Sequence, residues 1–243
     1  MPLLSVRDLS LSYGSARALT DVNFDLESGA TLAVLGSNGA GKSSLARALS
    51  GLVPTSGGTM TFDGVDITKM HPQQIRRLGI THLPEGRGIF SSLSVMENLR
   101  MAVIWSKSRK ERRDALQRVF GLFPILYDRR NQRAGSLSGG EQQILSLGRG
   151  LAITPRLLIV DEMSLGLAPI VVQQSFKFLV EEKDKGVAIV LIEQFIHKAL
   201  AIADEVLILQ RGEVGWTGPA GDAKEQVIDR YLGGSAEESH ATV

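Results

Sequence analysis

Residues 36–43 read GSNGAGKS, which fits the spacing G-x-x-x-x-G-K-[ST] of a phosphate-binding loop. The segment follows the apolar run TLAVL at residues 31–35 and precedes a helical pattern at residues 44–49. Its glycines let backbone amides point at phosphate oxygens, and a helix N-terminus favours the anion. Lys42 is expected to reach the β and γ phosphates, and Ser43 to offer its hydroxyl to magnesium. The residues predicted to contact the nucleotide are Gly36, Ser37, Asn38, Gly39, Ala40, Gly41, Lys42, Ser43 and Ser44.

Two adjacent carboxylates follow another apolar run, since residues 157–160 (LLIV) precede Asp161 and Glu162. This pattern places both charges at the C-terminal edge of a central strand, where α/β sheets bind ligands. Asp161 is expected to hold magnesium through its water shell, and Glu162 to polarise the water that attacks the γ phosphate. Strands that end in acidic residues are also common without any function, and they then indicate only that the following loop is exposed to solvent. The phosphate-binding loop makes the catalytic interpretation the favoured one.

A second glycine-rich turn, LSGGEQ at residues 137–142, precedes a helical pattern at residues 143–152. Because one nucleotide needs only one phosphate cradle, this second anion site is interpreted as a cap on the γ phosphate of a nucleotide held by a different subunit. The alternative is a plain turn before a helix, with an acidic residue placed favourably in its first turn. The residues of the predicted cap are Ser138, Gly139, Gly140 and Glu141.

Strand-like and helix-period segments alternate along the chain, which predicts an α/β fold with a largely parallel sheet. Before these, glycine-punctuated runs with more alternation predict an antiparallel β layer near the N-terminus. Between about residues 88 and 151 strand signals give way to helix signals, and Ser94 with Glu97 forms a capping-box pattern. The predicted buried strands are residues 31–35, 157–160, 187–192 and 206–209, and the predicted N-terminal strands are residues 3–11, 18–26 and 59–62.

The composition is that of a globular protein, with 243 residues, 43% of them hydrophobic, and no cysteine. A net charge of +1 gives no bulk electrostatic reason to bind nucleic acid or an anionic membrane. No apolar run is long enough for a bilayer span, and no signal peptide is recognised, so any membrane role is expected to be peripheral. The polar tail from Ser235 is expected to be frayed.

The order GSNGAGKS, LSGGEQ and LLIVDE resembles the ATP-binding subunit of an ATP-binding-cassette (ABC) transporter, and the likeness runs across nearly the whole chain. The resemblance implies an α/β phosphate-loop NTPase core with an N-terminal antiparallel β layer and a helical subdomain insertion. The implied division is residues 1–87 and 152–234 for the core, 88–151 for the helical subdomain and 235–243 for a flexible tail. By the same resemblance Tyr13 stacks on adenine, and residues 164–168 (SLGLA) form a loop that crosses between two subunits.

Two positions depart from the general pattern of that superfamily. Glu85 stands where a Gln usually contacts magnesium and the membrane subunit, and Gln194 stands where a His usually contacts the γ phosphate. Together with SVMENL at 94–99, SLGLAP at 164–169 and YLGG at 231–234, these features look like the shorter ATPase subunit of a branched-chain amino-acid importer. The resemblance thus implies catalytic or magnesium-contacting roles for Glu85 and Gln194 beside Glu162.

The implied partners are a second ATPase subunit, either a copy or a sister chain, two membrane-spanning permease subunits and, indirectly, a solute-binding protein, with no nucleic acid. The implied cofactors are ATP and Mg²⁺, and the implied location is peripheral, on the cytoplasmic face of the plasma membrane. Three alternatives stay open. They are an importer of urea, amides or aromatic acids or an exporter, a soluble cassette ATPase acting on ribosomes or DNA, and a phosphate-loop kinase or GTPase. Ser138 lies 96 positions after Lys42, which leaves room for only a small helical subdomain and argues against the soluble cassette.

Overall fold

A computed structural model describes residues 1–86, 88–104, 106, 108–152, 154–164, 168–193 and 195–223. The described residues form two sheets and eight α-helices. The strands are β1 (Leu4–Tyr13), β2 (Ala16–Leu26), β3 (Thr31–Leu35), β4 (Gly57–Phe62), β5 (Val65–Asp66), β6 (Ile80–Leu83), β7 (Leu157–Asp161), β8 (Ala188–Ile192), β9 (Glu205–Gln210) and β10 (Glu213–Pro219). The helices are α1 (Lys42–Leu49), α2 (Pro72–Arg77), α3 (Val95–Ala102), α4 (Arg109–Leu122), α5 (Pro124–Asp128), α6 (Gly139–Leu151), α7 (Pro169–Asp184) and α8 (Ile196–Ile202).

The central sheet has the strand order β10-β9-β3-β8-β7-β6, and every pairing is parallel except that of β10 with β9. Its inner strands are buried on both faces because each contributes alternate side chains to two different cores. On β3, Leu32 and Val34 join one hydrophobic cluster, whereas Ala33 and Leu35 join the other. The predicted parallel sheet is therefore confirmed. Strands β3 and β7 both flank β8, so their C-terminal ends lie at the same edge of the sheet.

The N-terminal sheet has the order β2-β1-β4-β5, and its pairings are all antiparallel. The hairpin of β1 and β2 turns at Gly14, whose φ of 60° suits a residue without a side chain. Side chains from this sheet, including Leu4, Val6 and Phe62, pack in the same cluster as one face of the central sheet. The predicted antiparallel layer is confirmed, and it places Tyr13 next to the phosphate-binding loop.

Helices α3 to α6 follow the central sheet's edge strand β6 and share a third hydrophobic cluster that includes Leu99, Val119 and Leu145. Ser94 caps α3, because its Oγ accepts the backbone N–H of Glu97 at 3.2 Å while the Glu97 carboxylate accepts the backbone N–H of Ser94 at 2.7 Å. The capping box predicted from the sequence is thus confirmed. Within the described part of residues 88–151, one isolated bridge, Ser94 with Arg133, is the extent of β pairing.

No helix among the described residues has both the length and the apolar composition needed to span a bilayer. The predicted tail at residues 235–243 and the YLGG segment at 231–234 lie outside the described residues.

Candidate functional site

The phosphate-binding loop connects β3 to α1. It can curl tightly because two of its glycines lie against the backbone of neighbouring strands, where a side chain would not fit. Gly41 is the N-cap of α1 with φ of 105°, and a Cβ placed there would lie 2.7 Å from the carbonyl oxygen of Ala18. A Cβ at Gly36 would lie 2.5 Å from the carbonyl oxygen of Leu209. Larger residues would therefore push the loop away from β2 and β9. The helix begins at Lys42, two residues before the predicted start.

Lys42 is buried, with 4% of the residue exposed. Its Nζ donates to the carbonyl oxygens of Gly36 at 2.9 Å and Ser37 at 3.2 Å, and it lies 3.6 Å from Oε1 of Glu162. These contacts hold the ammonium group at the mouth of the loop, between the predicted phosphate site and the predicted base. The loop and the acidic pair, predicted separately from the sequence, therefore meet.

Asp161 ends β7 and faces the first turn of α1. Its Oδ1 accepts a hydrogen bond from Oγ of Ser43 at 3.1 Å. The pKa of the Asp161 carboxyl is raised to about 6, chiefly by burial and also by the nearby carboxylates of Glu162 and Glu85, while the hydrogen bond from Ser43 opposes the shift. A carboxylate held in this way favours a neighbouring cation, which would neutralise the crowded negative charge.

Glu162 adopts an unusual backbone conformation for a residue that is not glycine, with φ of 46°. Its N–H donates to the carbonyl oxygen of Ile192 at 2.9 Å, at the end of the neighbouring strand β8. This turn directs the side chain toward Lys42 and into an open pocket of about 690 Å³. The pocket is lined by Tyr13, Ala16, Arg17, Ala18, Asn38, Gly39, Gly41, Lys42, Ser43, Ser44, Glu85 and Glu162.

The pocket brings together residues from four separate parts of the sequence. Tyr13 is half-exposed at its edge, as a ring that stacks on a base would be, and Glu85 comes from the loop after β6. Of the other loop residues predicted to bind the nucleotide, Gly36, Ser37 and Ala40 are not among the residues that line the pocket. Gln194 lies outside the described residues, as do residues 165–167 of the predicted crossing loop.

The LSGGEQ segment forms a capped helix start outside the lining of this pocket, although its last residue, Gln142, lines an adjoining pocket together with Glu85 and Glu162. Ser138 is the N-cap of α6, where its Oγ accepts from the N–H of Glu141 at 3.3 Å and its N–H donates to Oε2 of Glu141 at 2.8 Å. These hydrogen bonds lower the pKa of the Glu141 carboxyl. Because of this cap, α6 begins at Gly139, four residues before the predicted helical run, and both glycines belong to its first turn. Among the described residues, the lining of the nucleotide pocket includes none of residues 138–141.

Comparisons with known proteins agree with this geometry. The family described as ABC transporter matches residues 19–164, more than half of the chain. The chain belongs to the ABC transporter family. It is 39% identical over 234 residues to the high-affinity branched-chain amino acid transport ATP-binding protein BraG of Pseudomonas aeruginosa, covering 96% of this chain and all of that one. It is 32% identical to the probable branched-chain amino acid transport ATP-binding protein LivF of Archaeoglobus fulgidus, over 92% of this chain and 94% of the relative.

Among solved structures, the ATP-binding subunit of an ABC transporter superposes on this chain with a TM-score of 0.82 and 30% identity, over 93% of each chain. This ABC ATPase therefore shares both the fold and the ATP-binding function of its relatives, and the phosphate-loop kinase and GTPase alternatives are excluded.

Sequence reasoning missed the pocket residues Ala16, Arg17 and Ala18 at the start of β2. They line the pocket because the β1–β2 hairpin returns the chain beside Tyr13. The signal that could have located them is Gly14, which marks the turn of that hairpin. The same reasoning also missed a contact between Ser164 and Glu193, since those residues lie 29 positions apart.

Proposed function

We propose that this ABC ATPase hydrolyses ATP in the pocket between the phosphate-binding loop, Asp161 and Glu162. The observation that carries the proposal is the convergence of Lys42, Ser43 and both carboxylates at the first turn of α1, with Ser43 on Asp161 and Lys42 beside Glu162. In this arrangement backbone amides and Lys42 bind the β and γ phosphates, and Tyr13 stacks on the adenine. Asn38, Gly39, Gly41 and Ser44 line the phosphate end.

We further propose that Mg²⁺ accompanies the nucleotide. The hydroxyl of Ser43 and the carboxylate of Asp161 are hard oxygen ligands that already lie within hydrogen-bond distance of each other. Mg²⁺ in nucleotide sites takes only one or two protein ligands beside phosphate oxygens and water, so these two side chains are enough for the proposed site. When bound, Mg²⁺ would stabilise negative charge on the phosphates, and Glu85 at the pocket rim is proposed to contact it.

Glu162 is the proposed general base. Its carboxylate faces the pocket beside Lys42, so it can accept the proton of a water placed against the γ phosphate. Gln194 is proposed to contact the same region, and because a neutral amide replaces the more usual imidazole, turnover by the isolated subunit is expected to be slow.

Two variants test the catalytic assignment. Glu162→Gln keeps the size of the side chain but removes the base, so ATP affinity should be unchanged and turnover abolished. Lys42→Ala should lose ATP affinity and transport together. The exposed residues Glu213 and Lys177 supply matched controls, Glu213→Gln and Lys177→Ala, which should leave both properties unchanged. Full ATPase activity in Glu162→Gln, or unaltered ATP binding by calorimetry in Lys42→Ala, would contradict the assignment.

We propose that the working unit contains two ATPase subunits, with each ATP lying between the Lys42 loop of one subunit and the Ser138–Gly139–Gly140 turn of the other. Among the described residues, that turn does not line the pocket of its own chain, which supports this arrangement. The γ phosphate then favours the closed pair of subunits, and hydrolysis of ATP allows the pair to open. If this holds, Glu162→Gln should dimerise with ATP in analytical ultracentrifugation, and adding Ser138→Arg should abolish the dimer while ATP still binds.

We propose that the pair drives import of branched-chain amino acids, because BraG and LivF carry that description and align with nearly all of this chain. The proposed partners are two membrane-spanning permeases and, indirectly, a solute-binding protein, with the ATPase on the cytoplasmic face of the plasma membrane. We propose that the chain is divided into a core of residues 1–87 and 152–234 and a helical subdomain of residues 88–151. The helical subdomain is proposed to transmit motion to the permeases.

Uptake of labelled leucine, urea and benzoate, in cells with the protein, without it, and with Lys42→Ala, tests the substrate. Loss of leucine uptake alone supports the proposal. Loss of urea or benzoate uptake instead assigns a related importer, and unchanged uptake of all three contradicts an import role for these substrates.

A further inference from the structure

The turn that carries Glu162 is fixed at three successive residues. The N–H of Glu162 donates to the carbonyl oxygen of Ile192, and the side chain of Met163 is buried in the core on one face of the sheet. At the third residue, the N–H of Ser164 donates to Oε1 of Glu193 at 3.2 Å, and its Oγ donates to Oε2. The last residue of β8 and the residue after it thus hold the turn, through the backbone carbonyl of Ile192 and the carboxylate of Glu193.

The Ser164–Glu193 contact is deeply buried, with 3% of Ser164 and 2% of Glu193 exposed. Burying a carboxylate costs stability unless hydrogen bonds compensate it, and a pair of apolar residues at such a place often gives an equally stable fold. A carboxylate here therefore calls for a reason other than packing. The contact lies two residues from Glu162, whose left-handed backbone persists only where its surroundings hold it.

We propose that Glu193 is a positioning residue for ATP hydrolysis. It accepts both hydrogen bonds of Ser164 and so holds the turn in the conformation that directs the Glu162 carboxylate into the nucleotide pocket. Without these hydrogen bonds, the backbone at Glu162 would relax toward ordinary φ values and carry the base away from the water that it must activate. Displacements of about 1 Å at a reacting group can lower rates by about 100-fold. The inference rests on the proposed role of Glu162 as general base.

The test is a comparison of kcat and ATP affinity in the full-length chain. Glu193→Ala should lower kcat by about tenfold or more while the Kd for ATP stays within about threefold, because the phosphate-binding loop is untouched. Glu193→Gln should restore most of kcat, since its Oε1 still accepts the Ser164 amide and its Nε2 can donate to Ser164 Oγ. Ser164→Ala, which removes only the hydroxyl bond, should give an intermediate kcat.

Matched controls separate positioning from general destabilisation. Glu182 is another buried carboxylate, on α7, with a hydrogen bond from Lys185 at 2.7 Å, and Ser175 is a buried serine on the same helix. Glu182→Ala and Ser175→Ala should leave kcat unchanged, and urea unfolding would report their stability beside that of the Glu193 and Ser164 variants.

The outcomes are distinct. Unchanged kcat in Glu193→Ala, or a fall matched by Glu182→Ala, or a parallel loss of ATP affinity, would overturn the positioning role. The same experiment includes Glu162→Gln. If that variant keeps full turnover, the proposed base is wrong. If it is inactive while Glu193→Ala is fully active, only the inference about Glu193 fails.

Discussion

We expect His82, on β6, to make the free energy of unfolding depend on pH. The pKa of His82 is lowered to about 4, chiefly by burial and also by the positive charge of Arg47. Ser50 Oγ donates to the carbonyl oxygen of Ala46 and therefore accepts from Nδ1 of His82 at 2.8 Å. The other ring nitrogen is buried with no hydrogen-bond partner among the described residues. A proton there would create a buried charge with an unpaired N–H.

The size of the effect follows from linkage. In the unfolded chain the imidazole has a pKa near 6.5, so between pH 6.5 and 4 the unfolded state binds a proton that the folded state does not. Stability contributed by His82 is therefore complete above pH 6.5 and is lost as the pH falls toward 4. At about 1.4 kcal/mol per pH unit, the whole window removes about 3 kcal/mol, and the step from pH 7.5 to 5.0 removes about 2 kcal/mol.

Urea unfolding at pH 7.5 and pH 5.0 measures this loss. His82→Asn keeps an amide N–H for Ser50 and does not titrate, so the unchanged protein should lose about 2 kcal/mol more than this variant between the two pH values. His197→Asn, at an exposed histidine on α8, should lose as much as the unchanged protein. Equal losses in the unchanged protein and His82→Asn would refute the reasoning.

Three further substitutions test the physical account of the fold. Ser94→Ala removes the cap of α3 and should lower the free energy of unfolding by about 1 kcal/mol in urea, and no change would mean that the cap is not needed. Gly58→Ala should cost more than about 1 kcal/mol and lower the Tm, because φ is 84° and the new Cβ would lie 2.4 Å from the carbonyl oxygen of Asp8; a stable variant would disprove that close approach. Asp25→Asn removes an exposed ion pair with Arg7 and should change the free energy of unfolding by less than about 1 kcal/mol, with a smaller effect in high salt; a larger, salt-independent loss would count against it.

The convergence of the phosphate-binding loop with the acidic pair was predictable from the sequence because both are short segments with fixed spacing. The loop at residues 36–43 contains the glycines, the lysine and the serine of the motif, and Asp161 and Glu162 are adjacent. Each segment directly follows an apolar strand pattern, which predicted that both would lie at the same edge of the sheet. The parallel sheet was predictable for the same reason, since β3, β7 and β8 are continuous apolar runs that suit strands buried on both faces.

Features that depend on distant parts of the chain were not predictable. The contact of Ser164 with Glu193 joins residues 29 positions apart, and each looks like an ordinary polar loop residue in the sequence. The start of α6 was placed too late because glycines disfavour helices, whereas in the structure the reciprocal hydrogen bonds of Ser138 and Glu141 offset that cost. The edge strand β10 is rich in glycine and proline and was not recognised.

The hydrophobic cluster shared by α3 to α6 has a mechanical consequence. Its side chains pack on one another, but α6 also packs on the central sheet, because Leu147 and Leu151 belong to the cluster on one face of that sheet. A movement of these helices as one block would keep their shared interior closed to water, but it would have to slide α6 along the central sheet. We therefore expect any displacement of these four helices to occur as a unit and to concentrate at the contact of α6 with the central sheet.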